Sequence, residues 1–180
     1  MTTLVTPRLV LSPPTADDYE DFAALLGDPR VMDILGGAQV RSVAWRTFMQ
    51  TAGAWAICGY GFFSVRERAT GRFVGRIGCQ RPEGWPGTEV GWGLTFDAQG
   101  QGYATEAAAA CIDFAVDTLG WTEVIHCIAA PNPPSVAVAE RLGARILRQA
   151  PLPAPVSKTV DVWGQTAEQW KARRPSTSSE

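Results

Sequence analysis

The chain has 180 residues, 46% of them hydrophobic and 19% charged, a balance that suits one globular domain with enough apolar surface to bury a core. Its net charge of −2 gives no electrostatic footprint for nucleic acid or an anionic membrane, and neither is expected as a partner. Cys58, Cys79, Cys111 and Cys127 form no C-x-x-C pair and lie among apolar neighbours, so buried free thiols in a reducing compartment are expected. With one histidine, no metal site is expected. Met1 to Leu11 lacks a basic start followed by an apolar run, and the uncharged stretch Thr47 to Val65 is broken by Gln50, Thr51, Gly53, Gly59 and Gly61. Neither reads as a secretory leader or a membrane span, which points to a soluble, cytoplasmic protein.

Arg8 to Ser12 reads as a first strand. Ala16-Asp17-Asp18 suits a first helical turn, and Tyr19, Phe22, Ala23, Leu25 and Leu26 continue a helix that Gly27 and Pro29 stop. A short helix is expected at Val31 to Leu35 and a longer one near Val40 to Thr51. Phe62 to Arg66 and Arg72 to Cys79 read as a hairpin turning at Ala69-Thr70-Gly71. Arg81 to Gly87 is a Pro/Gly loop, and Glu89 to Phe96 is a central strand. Ala104 to Leu119 is a central helix ending at Gly120, and Glu123 to Ala129 is another strand. Pro133 and Pro134 begin a helix that Gly143 stops. Ile146 to Leu147 and Val160 to Trp163 are the last strands. Residues 1–172 are expected to form a single α+β domain, and 173–180 a disordered tail.

Between the central strand and helix lies Gln99-Gly100-Gln101-Gly102-Tyr103-Ala104-Thr105. Strand, glycine loop and helix make a cradle for phosphates. Glycine lets the backbone come close to a ligand, and the first helical N–H groups have no internal partner and carry the positive end of the macrodipole. A P-loop requires Lys and then Ser or Thr after its last glycine, and here Tyr103 and Ala104 stand instead. A dinucleotide fingerprint requires a third glycine where Thr105 stands, and Glu123, at the right spacing for its acidic residue, opens the next strand rather than ending it.

Gln99-x-x-Gly102-x-Ala104 resembles the Q/R-x-x-G-x-G/A signature with which GNAT-type N-acetyltransferases cradle the pyrophosphate of acetyl-CoA. Further segments are similar, in family order, to the RimJ/RimL-like branch. They are Thr6-Pro7-Arg8-Leu9-Val10-Leu11, Asp28-Pro29-Arg30-Val31-Met32, Gly71-Arg72-Phe73-Val74-Gly75 and Glu89-Val90-Gly91-Trp92-Gly93-Leu94. Asn132-Pro133-Pro134-Ser135 and Glu140-Arg141-Leu142-Gly143-Ala144 complete the set. The resemblance implies a GNAT fold: a mixed, mostly antiparallel central sheet with helices on both faces and acetyl-CoA between two splayed strands. It implies acetyl transfer from acetyl-CoA to a primary amine, either a protein N-terminal α-amine or a small molecule, in a ternary complex. Monomer and homodimer are both open. The cofactor-binding residues it implies are Leu94, Phe96, Gln99, Gly100, Gln101, Gly102, Tyr103, Ala104, Thr105, Asn132 and Ser135.

Three catalytic roles follow from the resemblance. A backbone N–H at a strand bulge, here Leu94 beside Gly91 and Gly93, would stabilise the oxyanion. Glu89 would accept the amine proton or, alternatively, only orient the substrate. His126, in the alternating Val124-x-His126-x-Ile128, reads as a packed histidine on a sheet face. Ala139 stands where many family members carry a tyrosine acid, and Ser135 would substitute for it, or else cap a helix or bond the cofactor arm. Asn132 would bond the cofactor or the strand end, and Tyr103 would pack against the cofactor arm. At pH 7 an α-amine with pKa about 7.8 needs about 1 kcal/mol to become neutral, and a lysine with pKa about 10.4 needs nearly 5, which favours the α-amine or a weakly basic small amine. The other reading of the same residues is a catalytically silent acyl-CoA-binding regulatory module.

Overall fold

In the computed structural model of the chain, residues 2–34 and 36–174 are described. The first half runs β1 (Leu4–Val5), β2 (Leu9–Ser12), α1 (Tyr19–Gly27), α2 (Pro29–Met32), α3 (Arg41–Cys58), β3 (Phe62–Glu67), β4 (Phe73–Gln80) and β5 (Glu89–Leu94). The second half runs α4 (Tyr103–Asp113), β6 (Glu123–Ile128), α5 (Pro133–Leu142), β7 (Arg145–Pro151), β8 (Thr159–Thr166) and α6 (Ala167–Arg173). The strands form one sheet in the order β1-β2-β3-β4-β5-β6-β8-β7. Neighbours are antiparallel except β5 and β6, which are parallel. This is the mixed, mostly antiparallel α+β architecture that the sequence led us to expect.

α4 lies on one face of the sheet. Ala104, Ala107, Ala108, Cys111 and Ile112 follow helical spacing and are buried with Leu9, Leu11, Val65, Val74, Ile77 and Val90. Alanine at these positions lets the helix axis come close to the strands. Alternation along β4 sends Ile77 and Cys79 toward α4 and Arg76 to the opposite face. There the Arg76 guanidinium carbon lies 5.5 Å from the centre of the Phe22 ring of α1. Phe22 in turn packs with Phe48 of α3.

The parallel ladder between β5 and β6 is the feature that positions the site. It pairs Glu89 with Ile125, and the Ile125 N–H donates to the Thr88 carbonyl at 2.9 Å. One step on, the backbone partner is replaced by a side chain: His126 Nδ1 meets the Val90 carbonyl at 2.7 Å. The strands diverge from that point. Since the Val90 carbonyl faces β6, alternation turns the backbone groups of Trp92 and Leu94 into the same gap.

The local expectations hold for the β3–β4 hairpin, for the central helix and for its stop at Gly120 (φ 70°). After Asp113 the central helix continues through Thr118 as a π-helical segment. The short helix is Pro29–Met32, one of whose expected residues, Leu35, lies outside the described residues. α3 runs past Thr51 to Cys58 and stops at Gly59 (φ 74°). Gly53 sits inside the helix, where a glycine costs about 1 kcal/mol relative to alanine. Trp55 offsets that by packing on Phe63 and donating its indole N–H to the Phe62 carbonyl at 2.8 Å.

The longer helix carries Cys58 to solvent, so the expectation of four buried thiols is corrected there; all four cysteines are free. β7 and β8 extend well beyond the segments expected, because β7 is an exposed strand whose register comes from β8 and not from an apolar pattern. Two residues of the expected tail are described. Arg173 closes α6, and Arg174 pairs with Asp117 at 2.6 Å, leaving residues 175–180 outside the described residues.

Candidate active site

Gly100 (φ 74°) and Gly102 (φ 79°) both adopt left-handed backbone, which glycine takes without the Cβ penalty of other residues. Gly102 is the N-cap of α4, so the loop delivers the unpaired N–H groups of the first helical turn to a cleft of about 780 Å³. Leu94, Gln99, Gly100, Gly102, Ala104 and Thr105 line it. Asn132 and Ser135, from the start of α5, close its other side.

The opening T-x-R-L segment acquires a physical role here. Thr6 Oγ1 donates to Glu106 Oε1 at 2.6 Å, Arg8 Nε donates to Glu106 Oε2 at 2.6 Å, and Arg8 Nη1 donates to the Gln101 carbonyl at 2.9 Å. The first segment of the chain thus clamps both the loop and the first turn of α4. Burial raises the Glu106 pKa, but the donors from Thr6 and Arg8 outweigh it and hold the carboxyl below its usual range.

Three expected cofactor residues turn their side chains elsewhere. The Tyr103 hydroxyl donates to Glu67 Oε1 at 2.8 Å and its ring lies under the Arg8 guanidinium. The Phe96 ring stacks beneath the Arg30 guanidinium at 4.4 Å. Gln101 Nε2 donates to the Asp97 carbonyl at 2.7 Å. The partners are Glu67 of β3 for Tyr103, Arg30 of α2 for Phe96 and Asp97 of the same loop for Gln101.

A second cavity, of about 300 Å³, opens on the other side of the sheet and shares Trp92, Gly93, Asn132 and Ser135 with the cleft. Glu89 lies in its wall, 4% exposed. Glu89 Oε1 accepts the Cys127 N–H at 2.7 Å, and Oε2 accepts from Gln80 Nε2 at 2.7 Å and Trp85 Nε1 at 2.6 Å. Burial raises its pKa above the usual 4.5, and these three donors hold the rise back. His126 is fully buried and its pKa is pushed down to about 4 by burial, so at neutral pH it is an uncharged ring; Nε2 has no partner among the described residues. It is a packed histidine, but one that bridges two diverging strands and packs at a tilt against Trp92, ring centres 4.8 Å apart.

Ser135 does not cap α5. Asn132 does, its Oδ1 accepting the Ser135 N–H at 3.2 Å. The Ser135 hydroxyl oxygen instead accepts from Trp92 Nε1 at 3.2 Å. The expected bulge at Gly91 and Gly93 is not observed: β5 keeps an unbroken register against β4 from Glu89 to Leu94, and the irregularity falls between Val65 and Arg66 of β3. Gly91 serves close approach, since a Cβ there would meet Phe62 Cζ at 3.1 Å. The Leu94 N–H reaches the gap through the splay alone. Trp92, Trp85, Gln80 and the Thr6–Arg8–Glu106 clamp were not singled out from sequence; their partners lie on other elements, and only the T-x-R-L pattern hinted at one of them.

A sheet whose two parallel central strands part over a glycine loop and a helix N-terminus defines the class of acyl-CoA-handling acetyltransferases. The sequence model of the acetyltransferase (GNAT) domain matches residues 8–145, and the chain belongs to that family, in which an acetyl group moves from acetyl-CoA. The acetyltransferase from Agrobacterium tumefaciens str. C58 is 31% identical, with a TM-score of 0.82 over 92% of this chain and 94% of that one. A candidate ribosomal-protein-serine acetyltransferase from Vibrio cholerae is 27% identical, with a TM-score of 0.78 over 92% and 97%. The uncharacterized protein YkkB of Bacillus subtilis (strain 168) is 29% identical over 171 residues, 91% of each chain. Among the described residues no helix is long and apolar enough to cross a membrane, and no group of His, Cys, Asp and Glu is placed to hold a metal ion.

Proposed function

We propose that this chain is an acetyl-CoA-dependent N-acetyltransferase of the RimJ/RimL-like branch. It acts in the cytoplasm on a primary amine, either a protein N-terminal α-amine or a small molecule. The observation that carries the reading is the meeting of two cavities at Trp92, Gly93, Asn132 and Ser135, with a phosphate cradle in one and a buried carboxylate in the other. Gly100 and Gly102 leave their left-handed turns free of side chains, the cradle that the pyrophosphate of acetyl-CoA requires. The branch is supported by the N-x-x-S sequence at Asn132 to Ser135 and by the likeness to the Vibrio cholerae protein.

Bound acetyl-CoA supplies an activated acyl group and a thiol leaving group. The chain's own residues do the rest. Glu89 takes the proton of the incoming amine, directly or through water, and its raised pKa makes it a better base than an ordinary carboxylate. The Leu94 N–H, turned into the gap, donates to the carbonyl oxygen as negative charge develops there; such donors are worth about 3–4 kcal/mol. The Trp92 indole N–H occupies a lone pair of Ser135 Oγ, which leaves the serine proton free to be donated toward the departing sulfur. Gln99, Gly100, Gly102, Ala104, Thr105 and Asn132 hold the cofactor arm, together with the backbone of Phe96, Gln101 and Tyr103.

Steady-state release of free thiol from acetyl-CoA, measured against a panel of N-terminal peptides and small amines, tests the proposal. Amine-dependent release supports it. Tight acetyl-CoA binding without release from any amine would overturn it in favour of a silent acyl-CoA-binding module.

A further inference from the structure

The second cavity holds a cation that no acidic side chain among the described residues pairs with. Arg76 projects from β4 into it, and its guanidinium has no hydrogen-bond or ion-pair partner among the described residues. The other arginines with an acidic group at hand use it, as Arg66 does with Asp18 at 2.7 Å. Arg76 instead lies between two aromatic rings, its guanidinium carbon 4.7 Å from the Phe62 centre and 5.5 Å from that of Phe22. Stacking holds the side chain extended without consuming its five N–H donors. Burial without a compensating charge pushes its pKa down to about 10, and it is still cationic at neutral pH.

Its place in the register is also specific. Arg76 pairs with Gly93, which lines both cavities, while Glu89 pairs with Gln80 four residues further along the same strand. Their backbone positions are therefore roughly 13 Å apart along the strands at about 3.3 Å per residue, and Glu89 spends its oxygens on Cys127, Gln80 and Trp85 rather than on Arg76. Gly91 and Gly93 form the floor between them, and a Cβ on Gly93 would lie 3.9 Å from Arg76 Cγ. Lys158 adds a second positive charge to the wall.

We propose that Arg76 is the specificity-determining residue of the acceptor site and that it receives a carboxylate carried by the amine substrate. The acceptor is thus a small amino acid-like molecule whose carboxylate forks onto the guanidinium while its amine lies over the glycine floor. This inference rests on the acetyltransferase reading and narrows its acceptor class. Planar, bidentate capture of a carboxylate is the geometry that a stacked guanidinium offers best.

The test compares the common L-amino acids with their α-carboxamides, which keep the amine and remove the negative charge. In thiol-release assays the best acid should exceed its carboxamide in kcat/KM by tenfold or more. Arg76→Met, which keeps length and apolar stacking, should lower kcat/KM for the acid by at least tenfold, leave the carboxamide within about twofold, and leave Tm unchanged or higher. Arg76→Lys should retain part of the preference, as a charge without the fork. Equal use of acid and carboxamide by the wild type, or equal loss of both in Arg76→Met, would overturn the carboxylate site while leaving acetyl transfer intact. If no amine is turned over, the acetyltransferase reading fails. Calorimetry of the same acids and carboxamides on the CoA-bound protein still decides this site: acid binding that Arg76→Met abolishes supports it, and no difference between acid and carboxamide overturns it.

Discussion

Glu89→Gln perturbs the site at its most constrained point. Three donors converge on two carboxylate oxygens: the Cys127 N–H on Oε1, and the Gln80 amide and Trp85 indole on Oε2. A glutamine offers one oxygen and one NH2 group. Gln80 can turn its own amide to present oxygen, but the Cys127 and Trp85 N–H groups cannot change role, so either orientation of the new amide leaves one buried donor unpaired. That costs about 1–3 kcal/mol. At about 2–4 °C per kcal/mol for a chain of this size, Tm should fall by roughly 2–12 °C with the fold retained. The catalytic effect is separable. Loss of a general base should lower kcat at pH 7 by about 10²–10⁴-fold with little change in acetyl-CoA affinity. Glu89 is active only when ionised, and burial raises its pKa, so the acidic limb of the wild-type kcat/KM profile should lie above the ordinary carboxylate value of 4.5. The variant should lack that limb, and its deficit should shrink as pH rises through the amine's own titration. Steady-state kinetics across pH, beside thermal unfolding, reads both effects. A fall in Tm with wild-type kcat, or a rate deficit that stays flat as the amine deprotonates, would refute Glu89 as the base.

The other expectations concern neighbouring groups. Ser135→Ala should lower kcat at least tenfold without weakening CoA binding, and less so with an acyl donor of lower thiol pKa; Trp92→Phe should also slow turnover in the wild type but have no effect in the Ser135→Ala background, and additive effects would break the proposed link. Gly102→Val imposes a branched side chain on a left-handed backbone, a strain of about 1–2 kcal/mol, and sets its Cβ 3.4 Å from Arg8 Nη2; CoA affinity should fall at least tenfold, and unchanged affinity by calorimetry would remove this loop from the site. His126 has its folded pKa depressed from 6.5 to about 4, so its contribution is complete above pH 6.5 and is lost as pH falls toward 4. Relative to His126→Asn, which keeps a donor for the Val90 carbonyl but does not titrate, wild-type unfolding free energy should drop by about 3 kcal/mol over that range; parallel pH curves would show that burial does not hold the ring neutral.

Local chemistry made part of this protein legible in its sequence. Gly100 and Gly102 announce left-handed turns because few other residues tolerate them, and Ala104 to Ile112 announce a helix because their apolar period matches its turn. Pro133 and Gly143 bracket α5 by what they forbid. These signals act within a few residues, so a linear reading captures them, and their order along the chain was enough to suggest the fold. The working geometry had no such signal. Trp92 meets Ser135 across 43 positions, and Arg8 meets Glu106 across 98. Gln101, Phe96 and Tyr103 carry the right residue types in the right loop, yet their side chains bond elsewhere once a closer partner is at hand. Arg76 reads as one more polar residue in a strand until Phe22 and Phe62 close around it without an acid. At the start of the gap His126 stands in for a backbone partner at Val90, a contact that exists only when β5 and β6 lie side by side. Secondary structure follows from preferences each residue carries alone, whereas a site is a competition among distant groups for the same partners, and only packing decides which of them win.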